Sequence, residues 1–333
     1  MKKTIGVAMS GGVDSSFTAA YFLNQGYRVI GITMQLFDSQ QAHIDAKIVA
    51  DFLGIEHHVL DLREDFQSNV VKYFCDEYSQ TRTPNPCVRC NERIKFGKLF
   101  DFAMSLGADF LATGHYARIE DGFLKKAENL EKDQSYFLYR VDRDKLPRIK
   151  FPLGRFSKPE VRRQAAELKL PVAAKKDSQE ICFIPNDDYK KFLESRIDFK
   201  PGEIVSTQGK ILGKHLGLAN FTIGQRKGLG IANPDPLYVV RLDVESNSVI
   251  VGANEDLFSK TLRARDLKFL VPVENQFRSS VKTRSGRRES MAAVSIENDL
   301  ATVEFDEPQR AITPGQSVVF YDSDIVLGGG III

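Results

Sequence analysis

The sequence predicts an α/β fold: a doubly wound parallel sheet, followed by a small central domain and a C-terminal β-barrel. Three observations predict it. Over about the first 190 residues short apolar runs alternate with longer amphipathic ones, the pattern of parallel strands joined by helices. Beyond Lys200, glycines and turn residues punctuate short segments from Pro201-Gly202 to Gly230. From about Leu262 the runs LKFLV, SSVKTR, MAAVSI, ATVEF and SVVFY are short, rich in alternating β-branched residues and separated by turns, which fits a compact barrel or sandwich. The expected domains are 1–195, 196–260 and 261–333.

Within the first domain, TIGVAM (Thr4 to Met9) reads as a buried strand, Ser16 to Gln25 as a helix stopped by Gly26, and Arg28 to Met34 as the second strand. Ile44, Ile48, Val49, Phe52 and Leu53 mark one face of the next helix, with Gly54 as its C-terminal cap and His57 to Leu62 as a third strand. A helix through Phe66, Val70, Val71 and Phe74 leads into a loop over Thr81 to Cys90. Ile94 to Leu106 is helical again, and Asp109 to Thr113 is a strand ending in Gly114-His115.

Composition narrows the class. The chain has 333 residues, 42% of them hydrophobic, with a net charge of +2, so it can bury several cores and is no strongly basic nucleic-acid coat. No apolar run reaches the roughly 20 residues that span a bilayer, and the N-terminus reads as a strand, not a signal peptide, so a cytoplasmic, membrane-free protein is expected. Four cysteines are too few for a disulfide scaffold of this length.

Strand one runs directly into Ser10-Gly11-Gly12-Val13-Asp14-Ser15 and a helix. Glycines let backbone N–H groups close on a phosphate, the hydroxyls of Ser10 and Ser15 can add donors, and the helix N-terminus favours negative charge. An ordinary capped turn is the bland alternative, but the six-residue string after the first strand of an α/β unit outweighs it. The string has no Walker lysine and resembles the PP-loop of N-type ATP pyrophosphatases, which implies that Asp14 helps hold the pyrophosphate or its Mg²⁺.

Cys87 and Cys90 form a CxxC just before a helix, with Arg89 and Arg93 close by, a setting that predicts a lowered thiol pKa. Cys182 follows Lys175 and Lys176, and Cys75 reads as a core residue. Structural zinc lacks a second ligand pair. An iron–sulfur cluster on Cys87, Cys90 and Cys182 stays open as an alternative. His115 reads as structural, and Tyr136 and Phe137 as core.

Together SGGVDSS, TPNPCVRCN, IKFG, ATGHYAR, KDQSYFLYR, KKDSQEICFI, GQRKGLG, VKTR and TPGQSVVFYD resemble the bacterial tRNA-specific 2-thiouridylase family, along the whole chain and most densely in its first 230 residues. The resemblance implies an ATP-dependent sulfurtransferase that adenylates C2 of a wobble uridine and replaces its oxygen by sulfur. ATP would be held by Ala8, Met9, Ser10, Gly11, Gly12, Val13, Asp14, Ser15, Met34 and Gly114. Cys90 matches the nucleophile and Cys182 the persulfide carrier, and the two would end as a disulfide. Asn85, Pro86 and Cys87 match residues that meet the target base, and Lys132, Asp133, Gln134, Arg284 and Ser285 match tRNA contacts. The implied partners are the lysine, glutamate and glutamine tRNAs and a persulfide donor protein. The implied small molecules are ATP and Mg²⁺, with a [4Fe–4S] cluster as the alternative.

Two departures stand out: many family members carry aspartate at the position of Cys87, and the segment between Met34 and His43 is short. Lys282, Arg284, Arg287, Arg288, Arg226 and Lys227 are candidates to track an RNA backbone. Another N-type pyrophosphatase acting on a small molecule is the rival enzyme reading.

Overall fold

Strand β1 (Thr4–Ala8) is apolar on both faces because it is the centre of a parallel sheet. Its neighbours are β2 (Arg28–Gln35) on one side, followed by β3 (Glu56–Asp61), and β4 (Phe110–Ala112) on the other. A hairpin of β5 (Ala117–Glu120) and β6 (Phe123–Lys126) precedes β7 (Ile149–Lys150), which completes the order β3-β2-β1-β4-β7. All four pairings in that sheet are parallel. The hairpin turn is Asp121-Gly122 with φ of 53° and 81°, the geometry that an Asp-Gly pair favours between two strands.

The computed structural model describes residues 2–38, 41–176, 181–184, 186 and 188–333. The chain forms two compact units. The first contains Met1–Val70, Cys87–Gln179 and Asp322–Leu327, and the second contains Val71–Pro86, Glu180–Tyr321 and Gly328–Ile333.

In the first unit helix α1 (Val13–Asn24) lies on the sheet through Ala19 and Phe22, which pack with Ile5, Val7 and Val29. Its opposite flank, Val13, Phe17 and Ala20, packs against Val161 and Ala165 of the helix Lys158–Glu167. That helix begins with a capping box, Ser157 with Glu160, a device worth about 1 kcal/mol.

Helix α2 (Gln41–Leu53) corrects the predicted face. Ala46, Val49 and Ala50 face the sheet with Leu53 beside them, while Ile44, Ile48 and Phe52 are about half exposed. Small side chains let the helix approach closely, and the larger ones are left outside. A second correction concerns the predicted loop over Thr81 to Cys90. The chain is helical from Pro86, at the start of Pro86–Arg89, and continues through a stretch of wider, π-type turns, Cys90–Leu99, into Phe100–Ser105. Proline's fixed φ suits a first helical position, so the turn starts before the CxxC and not after it.

In the second unit β8 (Gly202–Ser206), β9 (Ile211–His215), β10 (Tyr238–Asp243) and β11 (Ser248–Gly252) form a sheet in the order β10-β11-β8-β9 around Ile204, Val239, Val249 and Val251. The chain then enters β12 (Phe258–Phe269), β13 (Gln276–Lys282), β14 (Ser290–Glu297), β15 (Leu300–Arg310), β16 (Ser317–Asp322) and β17 (Ile325–Ile332). Their order is β12-β15-β14-β13-β16-β17, and β12 also pairs with β17, which closes a six-stranded barrel. Among the described residues no helix is long and apolar enough to cross a membrane.

Candidate active site

The chain leaves β1 toward one neighbour, β2, and later returns on the other side as β4. The sheet order therefore reverses at β1, which makes the carboxyl ends of β1 and β4 the usual ligand position in such a sheet. Ser10-Gly11-Gly12 fills one lip and Thr113-Gly114-His115 the other. Gly11 has φ of +70°, and a Cβ there would stand 2.8 Å from the Asp45 Cβ and 2.9 Å from the Ala42 carbonyl oxygen, so only glycine fits.

Gly114 comes equally close from the other lip. A Cβ on it would lie 3.0 Å from the Asp14 carbonyl carbon and 3.1 Å from the Ser15 nitrogen. Met34 stands at the carboxyl end of β2, next to Thr33, whose hydroxyl donates to the Met9 carbonyl at 2.9 Å. The predicted nucleotide residues Ala8 to Ser15, Met34 and Gly114 thus share one edge of one sheet. The serine hydroxyls also stiffen the loop: the Ser10 N–H donates to Ser15 Oγ at 3.1 Å, and Ser15 Oγ donates to the Gly12 carbonyl at 3.1 Å.

Two lysines from outside the loop reach it. Lys158 Nζ is 2.7 Å from both carboxylate oxygens of Asp14, and the Tyr116 hydroxyl donates to the same carboxylate at 2.9 Å. Lys175 Nζ donates to the Gly11 carbonyl at 3.0 Å and to Asp45 at 2.5 Å. The Lys175 hydrogen bond holds the Asp45 carboxyl below its ordinary pKa, against the opposing effect of burial. Sequence reasoning missed Lys158 and Tyr116 as parts of the site. The signal for the first was Ser157-x-x-Glu160, which fixes a helix start beside the loop.

Cys87 and Cys90 stand one helical turn apart, Cys90 buried and Cys87 exposed. For Cys87 the predicted activation by Arg89 and Arg93 is corrected. Both arginines face Glu92, Arg89 at 2.9 Å and Arg93 at 3.8 Å, and Arg140 joins them at 2.9 Å. Burial alone would raise the Glu92 pKa, but Arg140 and Arg89 more than offset it and hold the carboxyl below its ordinary value.

For Cys87 the shift is upward. Its surface is open, yet protein atoms crowd its sulfur and push the thiol up, with Lys95 acting in the opposite direction. Lys95 also lies 3.4 Å from His115 Nε2, while His115 Nδ1 is 2.7 Å from the Thr113 hydroxyl. Burial, helped by Lys95, pushes the His115 pKa well below its ordinary value, so a neutral ring accepts from Lys95 and donates to Thr113, the structural role that the sequence predicts. Tyr136 is fully buried as predicted and Phe137 half-buried.

Cys182 is exposed and belongs to the second unit, where its neighbours Ile181, Phe183 and Ile184 pack on Phe74, Tyr78 and Leu193. Cys75 is half-buried against the same cluster, and burial raises its thiol pKa. Asp177 to Glu180, just before Cys182, lie outside the described residues. Among the described residues there is no disulfide, nor any group of three or more His, Cys, Asp and Glu placed to hold a metal ion.

The predicted RNA contacts divide by what their side chains do. Lys132 is exposed. Asp133 accepts from the backbone N–H groups of Ala127 and Ser135, and Gln134 accepts from the Tyr116 N–H at 3.0 Å, so these two brace the turn that carries Lys132. In the second unit Asn85 is half-buried, Pro86 buried and Ser285 exposed, while Arg284 donates to Thr313 at 2.5 Å. Lys282 lies 3.9 Å from Glu289 and over the Tyr321 ring, and Arg287 donates to the Arg310 carbonyl. Arg226, Lys227 and Arg288 are exposed.

Three family descriptions match the chain in succession: a tRNA methyl transferase HUP domain over residues 3–186, a tRNA methyl transferase PRC-barrel domain over 190–253, and an aminomethyltransferase beta-barrel domain over 259–332. The chain is 48% identical to the tRNA-specific 2-thiouridylase MnmA of Acetivibrio thermocellus, covering 99% of each chain. It is 48% identical to the tRNA-specific 2-thiouridylase MnmA 1 of Caldanaerobacter subterraneus, covering 98% of this chain and 96% of that one. It is 47% identical to the corresponding MnmA of Heliobacterium modesticaldum, covering 100% of this chain and 93% of that one.

Proposed function

The chain belongs to the tRNA-specific 2-thiouridylase family, and from that premise we propose that it thiolates a tRNA uridine at C2 after activating it with ATP. The observation that supports this reading best is the joining, in one compact unit, of a phosphate-binding loop at a sheet switch point with a helical turn carrying two thiols. A small-molecule pyrophosphatase requires the first feature but not the second. The functional domains are 1–195, 196–260 and 261–333.

The C2 oxygen of uridine is a poor leaving group. In the proposed reaction it attacks the α-phosphate of ATP and pyrophosphate leaves, stabilised by the loop N–H groups and the N-terminus of α1. Asp14, the carboxylate of the cradle, is suited to hold an oxygen-seeking Mg²⁺ that would accompany ATP and neutralise phosphate charge.

Sulfur arrives as a persulfide on Cys182, loaded by a donor protein. Its terminal sulfur displaces AMP from C2, and the Cys90 thiolate then attacks the Cys182 sulfur and frees the thiolated base. Alternatively, Cys90 first releases hydrosulfide, which displaces AMP. Either order leaves a Cys90–Cys182 disulfide, which a dithiol reductant reopens with two electrons. The wobble uridine of an anticodon loop is the target, because it is already unpaired and costs little to extrude. Asn85, Pro86 and Cys87 meet this base. Lys132, Arg284 and Ser285, with Asp133 and Gln134 shaping their surroundings, meet the tRNA.

The test is mass spectrometry of tRNA nucleosides after incubation with ATP, a persulfide donor and the purified protein. 2-Thiouridine should accumulate with the unmutated protein. With Cys182→Ser it should vanish while ATP–pyrophosphate exchange on tRNA persists. Exchange that proceeds with a small carboxylate or nucleotide and ignores tRNA would defeat the proposal. Loss of product in Cys87→Ser, together with visible charge-transfer absorbance after anaerobic purification, would favour the iron–sulfur route.

A further inference from the structure

The sulfur transfer proposed above uses two thiols, Cys90 and Cys182, and the unit that holds the parallel sheet carries another beside the first. Cys87 and Cys90 stand one turn apart, Cys87 on Pro86–Arg89 and Cys90 at the start of Cys90–Leu99. At that helical spacing Cβ atoms lie about 5–6 Å apart, whereas a disulfide brings them to about 3.5–4.5 Å. Closing the gap takes a small shift of one turn. Cys87 is the second residue of its helix, so its N–H lies among those with no carbonyl to meet inside the helix, and Pro86 before it has no N–H at all. The backbone at Cys87 can therefore move toward Cys90 without breaking the helical ladder.

Burial divides the pair. Cys90 is buried and Cys87 exposed, so a bulky reductant reaches the Cys87 sulfur more readily than the Cys90 sulfur. The crowding that raises the Cys87 thiol has a second effect, since a sulfur of raised pKa is a stronger nucleophile once deprotonated and a poorer leaving group. Exchange then favours its capture in the new bond. Lys95 opposes the rise and favours the attacking thiolate. Among the described residues the hydrogen-bond partner of the Lys95 ammonium is the neutral ring of His115, at 3.4 Å, which takes up none of its charge.

We propose that Cys87 is the resolving thiol of the reaction, attacking the Cys90 sulfur of the Cys90–Cys182 disulfide once the thiolated product has left. The S–S bond to Cys182 breaks, Cys182 leaves as a thiolate and takes up a proton, and a Cys87–Cys90 disulfide forms. An external dithiol then supplies two electrons at the exposed Cys87 sulfur. Cys182 is thereby returned to the persulfide donor before reduction is complete. The inference rests on the thiolation reading above.

The test is one turnover of the full chain, loaded with persulfide on Cys182 and freed of donor, with tRNA and ATP but no dithiol. Acid quenching, alkylation of the remaining thiols and tryptic mass spectrometry follow. Cleavage after Arg82, Arg89, Arg93, Lys176 and Lys190 puts Cys87, Cys90 and Cys182 on separate peptides, 83–89, 90–93 and 177–190. Peptide 83–89 linked to 90–93 should rise in step with 2-thiouridine, with 177–190 alkylated. In Lys95→Met the preceding link, 90–93 to 177–190, should persist about 3- to 10-fold longer, and a higher pH should shorten it again. If the unmutated protein forms 2-thiouridine and keeps 90–93 linked to 177–190 with Cys87 alkylated, this inference alone falls. It falls equally if Cys87 is retained on an iron–sulfur cluster with its visible absorbance. If no 2-thiouridine forms, the functional reading fails and takes this inference with it.

Discussion

Gly114→Ala adds one methyl group where the end of β4 meets the start of α1. Its Cβ would stand 3.0 Å from the Asp14 carbonyl carbon, 3.1 Å from the Asp14 Cβ and 3.1 Å from the Ser15 nitrogen. Those atoms belong to the first turn of α1, so no flexible side-chain end can swing away. Ordinary contact starts at 3.4 Å, so either the start of α1 or the end of β4 must retreat by a few tenths of an ångström. Overpacking of this kind costs about 1–3 kcal/mol. If the nucleotide demands the original spacing, the same strain weakens ATP binding by about 5- to 150-fold. Urea denaturation measures the first effect, and equilibrium ATP binding measures the second. A variant with an unchanged denaturation midpoint and unchanged ATP affinity would refute the claim that the two lips meet at this glycine.

Other outcomes follow from the same geometry. Burial lowers the pKa values of His115 and His57 below the ordinary 6.5, so the unfolded chain binds more protons between the folded values and 6.5, and stability should rise with pH across that window. Denaturation midpoints at pH 5.5 and 7.5 check it, with a flatter profile in His115→Gln; a midpoint that is higher at the acidic pH contradicts it. Arg288→Ala and Lys227→Ala, both exposed, should each reduce the log–log salt slope of tRNA binding by about 0.7–0.9 if they face phosphate. Lys282→Ala, which loses Glu289 and the Tyr321 ring, should lower stability more than it changes that slope. Cys90→Ser should stop product release while leaving ATP–pyrophosphate exchange in place, and 2-thiouridine formed at the normal rate would remove Cys90 from the mechanism.

The legible part of the site is the part written in consecutive residues. Ser10 to Ser15 announces a strand, a tight loop and a helix, and the fold delivers them in that order. Gly114 is legible only through resemblance, because its constraint is a close approach to residues a hundred positions away. Periodicity weights large apolar residues and so points to a different face of α2 than the one that packs, because close approach to the sheet favours Ala46 and Ala50. The setting of Cys87 departs from the sequence expectation for a related reason. Arg89 and Arg93 are near the cysteines in sequence, but their charge is drawn to Glu92, and Arg140 arrives from a distant segment. The Asp121-Gly122 hairpin carries a local signal in its Asp-Gly pair, while Lys158 carries almost none beyond the cap before it.

That hairpin has a practical consequence for dissecting the chain. Arg118 on β5 bonds Asp324 at 2.8 Å, the Lys126 ammonium donates to the Ser323 carbonyl at 2.7 Å, and Lys125 pairs in register with Ile325. A short stretch near the carboxyl terminus is therefore woven into the unit that holds the parallel sheet. A fragment truncated near residue 195 would lack those threads, and failure of such a fragment would say nothing about whether the missing barrel takes part in chemistry.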